Sequence, residues 1–295
     1  MFISIIILIC TTALHWFLQI RRNITRKKFG SRAEISYQNG ATEVIISAAR
    51  PFKAQSGQYI YVWIPGIYAW PFPHSITWWD NGGNGRGKDI SLLVDRESDL
   101  AKALSKYGTK NHFAWVDGPY GISTKIDKYD DMLMVATGMG IAAQIPYIRD
   151  FLDACSQQPA AYPSIYIAWQ VNDLSELDWV KTWMDKLLEQ DTGSYILRFG
   201  LYLPKGESKG EPEADGKHKR IWKIYSPMEP LKIISKDFWS RKGKKLVTVA
   251  ANAHIRDGIR DLVQQNMVEE VKILNLGFKD DGEYIKRQPS LNTVA

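Results

Sequence analysis

The spacing of hydrophobic residues divides the chain into three regions. The first is "FISIIILICTTALHWFLQI", residues 2–20, which contains no charged side chain. At ~1.5 Å per residue, this run just crosses a hydrocarbon core of roughly 30 Å as a helix. A signal peptide would place its basic residues before the apolar run and a cleavage site after it, and neither is present. The pattern therefore predicts a transmembrane helix.

The second region alternates hydrophobic and polar residues with a period of two. Its runs, among them "TEVIISAA", "GQYIYVWIP", "HSITWWD" and "KDISLLVD", are separated by Gly, Pro and Asn turns between Arg32 and Ile126. Short runs of this kind predict antiparallel strands that close into a small barrel. The Gly-rich "DNGGNGRGK", Asp80 to Lys88, joins two of these strands and precedes no helix, so it predicts a hairpin loop and no phosphate site.

The third region alternates strands with helices. "DMLMVA" predicts a buried strand, and in "IAAQIPYIRDFLDA" the apolar residues fall on one helical face. "SIYIAWQV" predicts the next strand, and "SELDWVKTWMDKLLEQ" a helix with Ser175 as its N-cap. The fold class expected is a transmembrane helix, then an antiparallel β-barrel, then a doubly wound α/β domain. The boundaries expected are 1–20 for the helix, 21–31 for a basic juxtamembrane segment, 32–126 for the barrel and 127–295 for the α/β domain.

Charge excludes one class of function. The net charge is +6, and residues 1–33 hold six basic side chains and no acid, so the later residues are balanced. A basic cluster directly after an apolar run marks the cytoplasmic side of a membrane helix. The composition therefore indicates membrane attachment with cytosolic domains and gives no support to nucleic-acid binding. The two cysteines lie too far apart in sequence for a disulfide framework or a metal cluster, so no metal site is expected.

Three motifs have both a structural and a functional interpretation. In "GMGIAA", Gly138, Gly140 and Ala143 fit G-x-G-x-x-A between a strand and a helix, where glycines let the backbone approach a pyrophosphate. A tight turn with no ligand fits this motif equally well. "YAWPFPHSITWW" is a proline-bent aromatic loop or a cofactor segment, and "DGPYG", which includes Gly118 to Gly121, is a turn or part of a cleft.

The order of these motifs resembles the C-terminal half of fungal ferric-chelate reductases, which belong to the same broad family as NADPH oxidases and, more distantly, ferredoxin-NADP reductases. The resemblance covers nearly the whole chain and implies an FAD-binding barrel followed by an NADPH-binding domain. A motif of the His-Pro-Phe-Thr type lines the flavin in this family, and its positions correspond here to Phe72, Pro73, His74 and Ser75. The resemblance implies a His74 ring against the flavin face and a Ser75 hydroxyl near flavin N5. The His74 imidazole could carry charge near neutral pH.

The resemblance also assigns the remaining cofactor residues. Gly118, Pro119, Tyr120 and Gly121 would border the cleft where flavin and nicotinamide meet, and Arg96 is the nearest spare cation for the FAD pyrophosphate. The chain departs from the family pattern at Phe72, at His74, at Asp99 and Ala101, and at Ala250, Ala251 and Asn252, which stand where the family has Cys-Gly-Pro. NADPH is the expected nucleotide, although no basic partner for a 2′-phosphate follows "IAWQV", where Asn172 and Asp173 stand; NADH is not excluded.

The resemblance implies a flavoprotein of the plasma membrane that passes electrons from NADPH through FAD to haem and then to ferric or cupric chelates. His74 and Ser75 would be the catalytic pair. The haem would come from upstream helices or from a partner. Two alternatives stay open: a degenerate non-catalytic subunit, and a flavin reductase with a cytosolic acceptor.

Overall fold

The computed structural model describes residues 2–26, 29–67, 73–81, 87–108, 111–157, 163–191, 193, 195–204, 212–215, 219–234, 236–265 and 271–277. These residues form two seven-stranded sheets and a long N-terminal helix, α1 (Phe2–Asn23). The helix is long and apolar enough to cross a membrane, with a mean hydropathy of 2.0. It extends three residues beyond the expected span, into the basic segment.

The first sheet is antiparallel and curls so that β4 contacts β6. Its order is β4-β3-β7-β1-β2-β6-β5. Every second residue of β2 points into the core of this sheet, as the period-two pattern requires; these residues include Val44, Ile46 and Ala48. Its strands are β1 (Ser31–Gln38), β2 (Ala41–Phe52), β3 (Tyr59–Trp63), β4 (Pro73–Ser75), β5 (Trp78–Asn81), β6 (Gly87–Asp95) and β7 (His112–Tyr120).

One sequence expectation fails in this sheet. "HSITWWD" was expected as one strand, but the structure divides it into β4 and β5. The chain crosses here from one edge of the curled sheet to the other: the Ile76 N–H donates to Gln58 O at 3.0 Å, and the Thr77 N–H donates to Ser91 O at 3.0 Å. The chain between β4 and β5 thus links the two edges of the sheet. A short helix, α2 (Asp99–Ser105), follows β6 and was also not expected.

The second sheet is parallel except for β11, which pairs antiparallel with β12. Its order is β11-β12-β10-β9-β8-β13-β14. The central strand β8 is buried along nearly its whole length, as expected for a strand covered on both faces. Its strands are β8 (Asp131–Thr137), β9 (Ser164–Gln170), β10 (Leu197–Tyr202), β11 (Glu213–Asp215), β12 (Ile221–Ile224), β13 (Lys245–Ala250) and β14 (Val271–Asn275).

Helices cover both faces of the second sheet. They are α3 (Ile141–Gln157), α4 (Lys181–Gln190), α5 (Pro230–Ile233), α6 (Lys236–Ser240) and α7 (Ala253–Gln265). Ser175 was expected to cap a continuous helix, but a 3-10 helix, Leu174–Trp179, precedes α4, and Asp173 caps it by accepting from the Ser175 N–H at 2.7 Å. The strand-helix alternation expected for a doubly wound domain is present.

The C-terminal end of α1 is joined to the first sheet by side-chain amides. The buried Asn23 donates to Val116 O and accepts from the Val116 N–H, both at 2.8 Å. Gln19 accepts from the Trp115 indole N–H at 3.2 Å. Asn23 thus pairs with the backbone of β7 as a neighbouring strand would. The apolar helix is fixed to the sheet at this point.

Candidate functional site

The two sheets meet through a contact rich in tryptophan. The Trp78 ring of β5 stacks on the Trp183 ring of α4, with centroids 6.4 Å apart. The Arg149 guanidinium of α3 lies 4.6 Å from the centroid of Trp78 and 4.5 Å from that of Trp79, and it donates to Trp79 O. Asp150 accepts from the Ser56 N–H at 2.9 Å. These cation–π and hydrogen-bonding contacts hold the sheets in one arrangement.

The turn after β8 has the geometry of a nucleotide site. Strand order reverses between β8 and β13, and this is where doubly wound folds bind dinucleotides. A 3-10 helix, Gly138–Gly140, connects β8 to α3. Gly138 O accepts from the Trp169 indole N–H at 2.9 Å, and Thr137 Oγ1 accepts from the Asn252 N–H at 2.9 Å. The turn is therefore positioned by groups from the strands on both sides of it.

The two glycines of this turn serve different purposes. Gly138 has φ +49°, and a Cβ built on it would meet nothing within 4 Å, so its face is open to a ligand. A Cβ on Gly140 would lie 1.9 Å from Ala250 O. Gly140 therefore allows α3 to approach the end of β13, and its contact with a pyrophosphate stays a prediction. Ala143 is buried on α3.

The residues in the place of Cys-Gly-Pro have a structural role. Ala250 ends β13 against Gly140, and Asn252 Oδ1 accepts from the Ile255 N–H at 3.1 Å at the start of α7. Asn252 is thus an N-cap for α7 as well as a backbone partner of Thr137.

On the first sheet, an aromatic cluster lies on the outer face beside Ser75. Ser75 pairs with Tyr59, and Tyr59 pairs with Tyr120 of the "DGPYG" segment. The rings of Tyr59, Tyr61 and Tyr120 lie 5.8 to 5.9 Å apart, and the Tyr120 hydroxyl donates to Asp117 at 2.6 Å. Burial, together with the bond to Asp117, raises the pKa of Tyr120. The sheet thus presents three aromatic rings and a hydroxyl on one surface.

His74 points to the other face of β4. It pairs with the fully buried Ile60 and is itself only 8% exposed. Burial lowers the pKa of His74 to about 4, so its ring is neutral between pH 5.5 and 7.5. The Nε2 atom is buried and has no hydrogen-bond partner among the described residues. The imidazole is therefore not the charged group at neutral pH that the sequence suggested.

The remaining predicted cofactor residues are dispersed. Arg96 is exposed directly after β6, and its backbone N–H donates to Gly40 O at 3.3 Å. Pro73 is exposed on β4, and Phe72 lies outside the described residues. Gly118, Pro119 and Tyr120 end β7, and Gly121 follows them beside the backbone of Gly57. The structure thus brings Ser75 together with Tyr120, while Arg96 lies at the end of a different strand.

These residues are compatible with the two cofactors that the resemblance implies. The open face of Gly138 at the strand-order switch fits a dinucleotide pyrophosphate. The Ser75 hydroxyl beside the rings of Tyr59 and Tyr120 fits a planar polar ligand on the outer face of the first sheet, whereas the buried Nε2 of His74 lies on the other face of β4. No group of three or more His, Cys, Asp or Glu side chains among the described residues could hold a metal ion.

Sequence reasoning missed Tyr59, Asp117 and Glu176. Tyr59 stands in "GQYIYVWIP", where aromatic residues alternate with aliphatic ones, and that alternation was the signal for an outward-facing aromatic stripe. Asp117 and Glu176 have partners only three and four residues away, Tyr120 and Asn172, but these contacts depend on the local backbone path and no sequence pattern indicated them.

Comparison with known proteins agrees with this arrangement. A family model for the ferric reductase NAD binding domain matches residues 129–221. The chain is similar to a respiratory burst oxidase homolog of Solanum tuberosum, with 26% identity over 198 residues, which is 54% of this chain and 22% of that protein. It is also 26% identical over 106 residues to the ferric/cupric reductase transmembrane component 2 of Saccharomyces cerevisiae, covering 34% of this chain and 14% of that protein. The chain therefore spans less than a quarter of these relatives.

Solved structures share the fold. A cytochrome P450 reductase from Amycolatopsis superimposes with a TM-score of 0.56 at 14% identity, covering 84% of this chain and 69% of that one. A ferredoxin-NADP+ reductase from Plasmodium falciparum gives 0.51 at 12% identity, covering 86% of this chain and 99% of that one. These matches confirm the resemblance to fungal ferric reductases and to oxidases of the respiratory burst type, and residues 129–221 are similar to the NAD-binding domain of ferric reductases.

Proposed function

We propose that the chain is the flavin- and nucleotide-binding part of a membrane ferric reductase. NAD(P)H would bind at the turn after β8, and FAD on the first sheet beside Ser75. Flavin accepts a hydride and releases electrons singly, so it can link a nicotinamide to a one-electron acceptor. The onward acceptors proposed are haem supplied by other helices and then ferric or cupric chelates. The membrane would be the plasma membrane, with both sheets in the cytosol.

The observation that carries this proposal is the turn at Gly138. It combines an open backbone face, the strand-order switch and the segment that matches the ferric reductase NAD binding domain. Trp78 of the first sheet stacks on Trp183 of α4, which packs on the second sheet, so a nucleotide on one sheet and a flavin on the other could be held at reacting distance.

Each residue has a proposed task in this arrangement. The Gly138 turn would hold the pyrophosphate through backbone N–H groups at the start of α3. The Ser75 hydroxyl would hydrogen-bond the flavin ring at N5, and Tyr59 and Tyr120 would bound the ring on the outer face of the sheet. His74, buried on the opposite face of β4, would support the strand that carries Ser75 without touching the flavin. Arg96, Pro73 and Phe72 remain proposed contacts of the FAD, and Gly118 to Gly121 remain the proposed floor of the cleft.

A test uses the full chain in detergent, loaded with FAD and mixed anaerobically with NADH or NADPH. We expect loss of the oxidised flavin absorbance on mixing. Ser75→Ala should slow this reduction about tenfold, the effect of one lost hydrogen bond of about 1.4 kcal/mol. Ser105→Ala is the control, because Ser105 is exposed on α2 and bonds only to Lys102 O among the described groups. An equal rate in both variants would remove Ser75 from the proposed site.

A second candidate, a non-catalytic subunit, is favoured by one observation. Ala250 and Asn252 stand at the end of β13, where the family has Cys-Gly-Pro, and both are engaged in packing or capping. A purified chain that takes up no FAD on titration would support this candidate against the oxidoreductase.

A further inference from the structure

The carboxyl end of β9 is the place where the adenosine ribose of a bound dinucleotide would lie. In doubly wound domains the pyrophosphate crosses the strand-order switch, and the ribose lies over the neighbouring strand, where an acidic residue bonds its 2′-hydroxyl. Here the switch lies between β8 and β13, and β9 is the other neighbour of β8. This step rests on the proposed nucleotide site at Gly138.

A buried carboxylate stands at this position. Glu176 is 7% exposed, and its Oε1 accepts from the Asn172 N–H at 3.1 Å, which places the carboxylate over the loop that leaves β9. Its Oε2 is buried and has no hydrogen-bond partner among the described residues. Burial raises the pKa of Glu176. A buried oxygen that lacks a donor is suited to a hydroxyl donor from a ligand.

A second acidic group adjoins it, and the neighbouring lysines are engaged. Asp173 caps the 3-10 helix through the Ser175 N–H, and this hydrogen bond lowers the pKa of Asp173. Lys181 is paired with Asp185 at 2.8 Å, and Lys232 with Glu229 at 2.9 Å. The Met228 N–H donates to Gln170 Oε1 at 3.0 Å, which brings the segment before Glu229 against the end of β9. Glu176 and Asp173 are thus the acidic groups beside the end of β9, and each of the two lysines named here already has a carboxylate partner.

Such a site distinguishes the two nicotinamide nucleotides. A ribose 2′-hydroxyl can donate to a carboxylate, whereas a 2′-phosphate carries about −1.5 to −2 charges at neutral pH and cannot. Placed beside Glu176 and Asp173, the phosphate would meet like charge in a partly buried loop.

We propose that Glu176, supported by Asp173, selects NADH over NADPH by accepting a hydrogen bond from the ribose 2′-hydroxyl. The chain departs here from the NADPH use that the family resemblance implies. Glu176 acts on nucleotide binding and has no part in the electron transfer itself.

The test measures calorimetric dissociation constants of the full chain in detergent for ADP-ribose and for 2′-phospho-ADP-ribose, neither of which can reduce a flavin. We expect ADP-ribose to bind at least about tenfold more tightly, because like charges a few ångströms apart at a protein surface repel by more than the free energy of a tenfold change. Tighter binding of the 2′-phospho compound would overturn the inference and leave the nucleotide site intact. If neither compound bound, the proposed nucleotide site itself would be wrong.

Variants then assign the discrimination to Glu176. Glu176→Gln keeps an oxygen for the Asn172 N–H and removes the charge, so the preference should fall several-fold. Asn172→Arg should bring the two affinities close together or reverse their order. Glu189→Gln, the same chemical change at an exposed position of α4, should leave the ratio as it is in the native chain. A ratio unmoved by Glu176→Gln and Asn172→Arg would contradict the assignment.

Discussion

The turn Gly138–Gly140 after β8 and the strand β4, proposed here to hold the nucleotide and the flavin, differ in how their geometry is maintained. At the turn after β8, backbone groups are held by partners on both sides, through Trp169 to Gly138 and through Asn252 to Thr137. At β4, the His74 Nε2 is buried without a partner among the described residues. The turn is therefore ordered by the fold alone, whereas β4 carries a buried ring nitrogen that the described residues leave without a partner. Backbone partners can hold a turn in place without a ligand, whereas the task of a strand side chain depends on the face that it occupies.

The largest effect is expected from the glycine that packs against β13. Gly140→Val should destabilise the α/β domain by roughly 3 kcal/mol or more, because its Cβ would lie 1.9 Å from Ala250 O. Thermal unfolding measures this change. A fully folded variant that has lost nucleotide binding would show that the pyrophosphate, and not Ala250, lies against Gly140.

A smaller loss is expected where α1 joins the first sheet. Asn23→Leu breaks two hydrogen bonds to the backbone of Val116 and leaves buried groups unpaired, which costs about 2 to 3 kcal/mol. We expect a lower unfolding temperature with unchanged ADP-ribose affinity, because the nucleotide turn lies on the other sheet. Arg21→Gln, at an exposed position of the same helix, is the control. Equal unfolding temperatures in the two variants would show that the amide pairing contributes nothing.

Near pH 6 the smallest effect concerns His74, and this effect grows as the pH falls. The pKa of His74 is lowered from 6.5 to about 4 by burial, so protonation favours the unfolded chain. Its contribution to stability is constant above pH 6.5 and declines as the pH falls from 6.5 towards 4, by at most about 1.4 kcal/mol per pH unit. His74→Phe should flatten that decline in denaturant titrations. An identical decline in both proteins would mean that another group titrates.

The sequence predicted what periodicity encodes and missed what depends on distant contacts. The buried strand "DMLMVA" and the helix that follows Gly140 were readable because their patterns are local. The break after Ser75 was not, since it depends on backbone partners at Gln58 and Ser91. In α2, Leu100 and Leu104 are buried four residues apart and Ser98 caps the first turn. The sequence therefore did contain a helix signal here, but it spans only seven residues and was missed.

Site residues show the same division. Gly138 was identified from its place between a strand and a helix, and the structure gives it an open face. His74 was assigned by resemblance, but strand alternation places its ring on the opposite face of β4 from Ser75. Paired residues on neighbouring strands point to the same face of a sheet. His74 pairs with the buried Ile60, so the His74 ring faces the core.

The central claim is that two separate sites on the two sheets bind FAD and a nicotinamide nucleotide. The most direct measurement is a set of dissociation constants for FAD and ADP-ribose in the native chain, Ser75→Ala, Gly138→Ala and Gly108→Ala. Gly108 is the matched control, because it also has positive φ and open space around a built Cβ. The account predicts about tenfold weaker FAD binding in Ser75→Ala alone and weaker ADP-ribose binding in Gly138→Ala alone. Loss of both ligands in either variant, or of neither ligand in both, would contradict it.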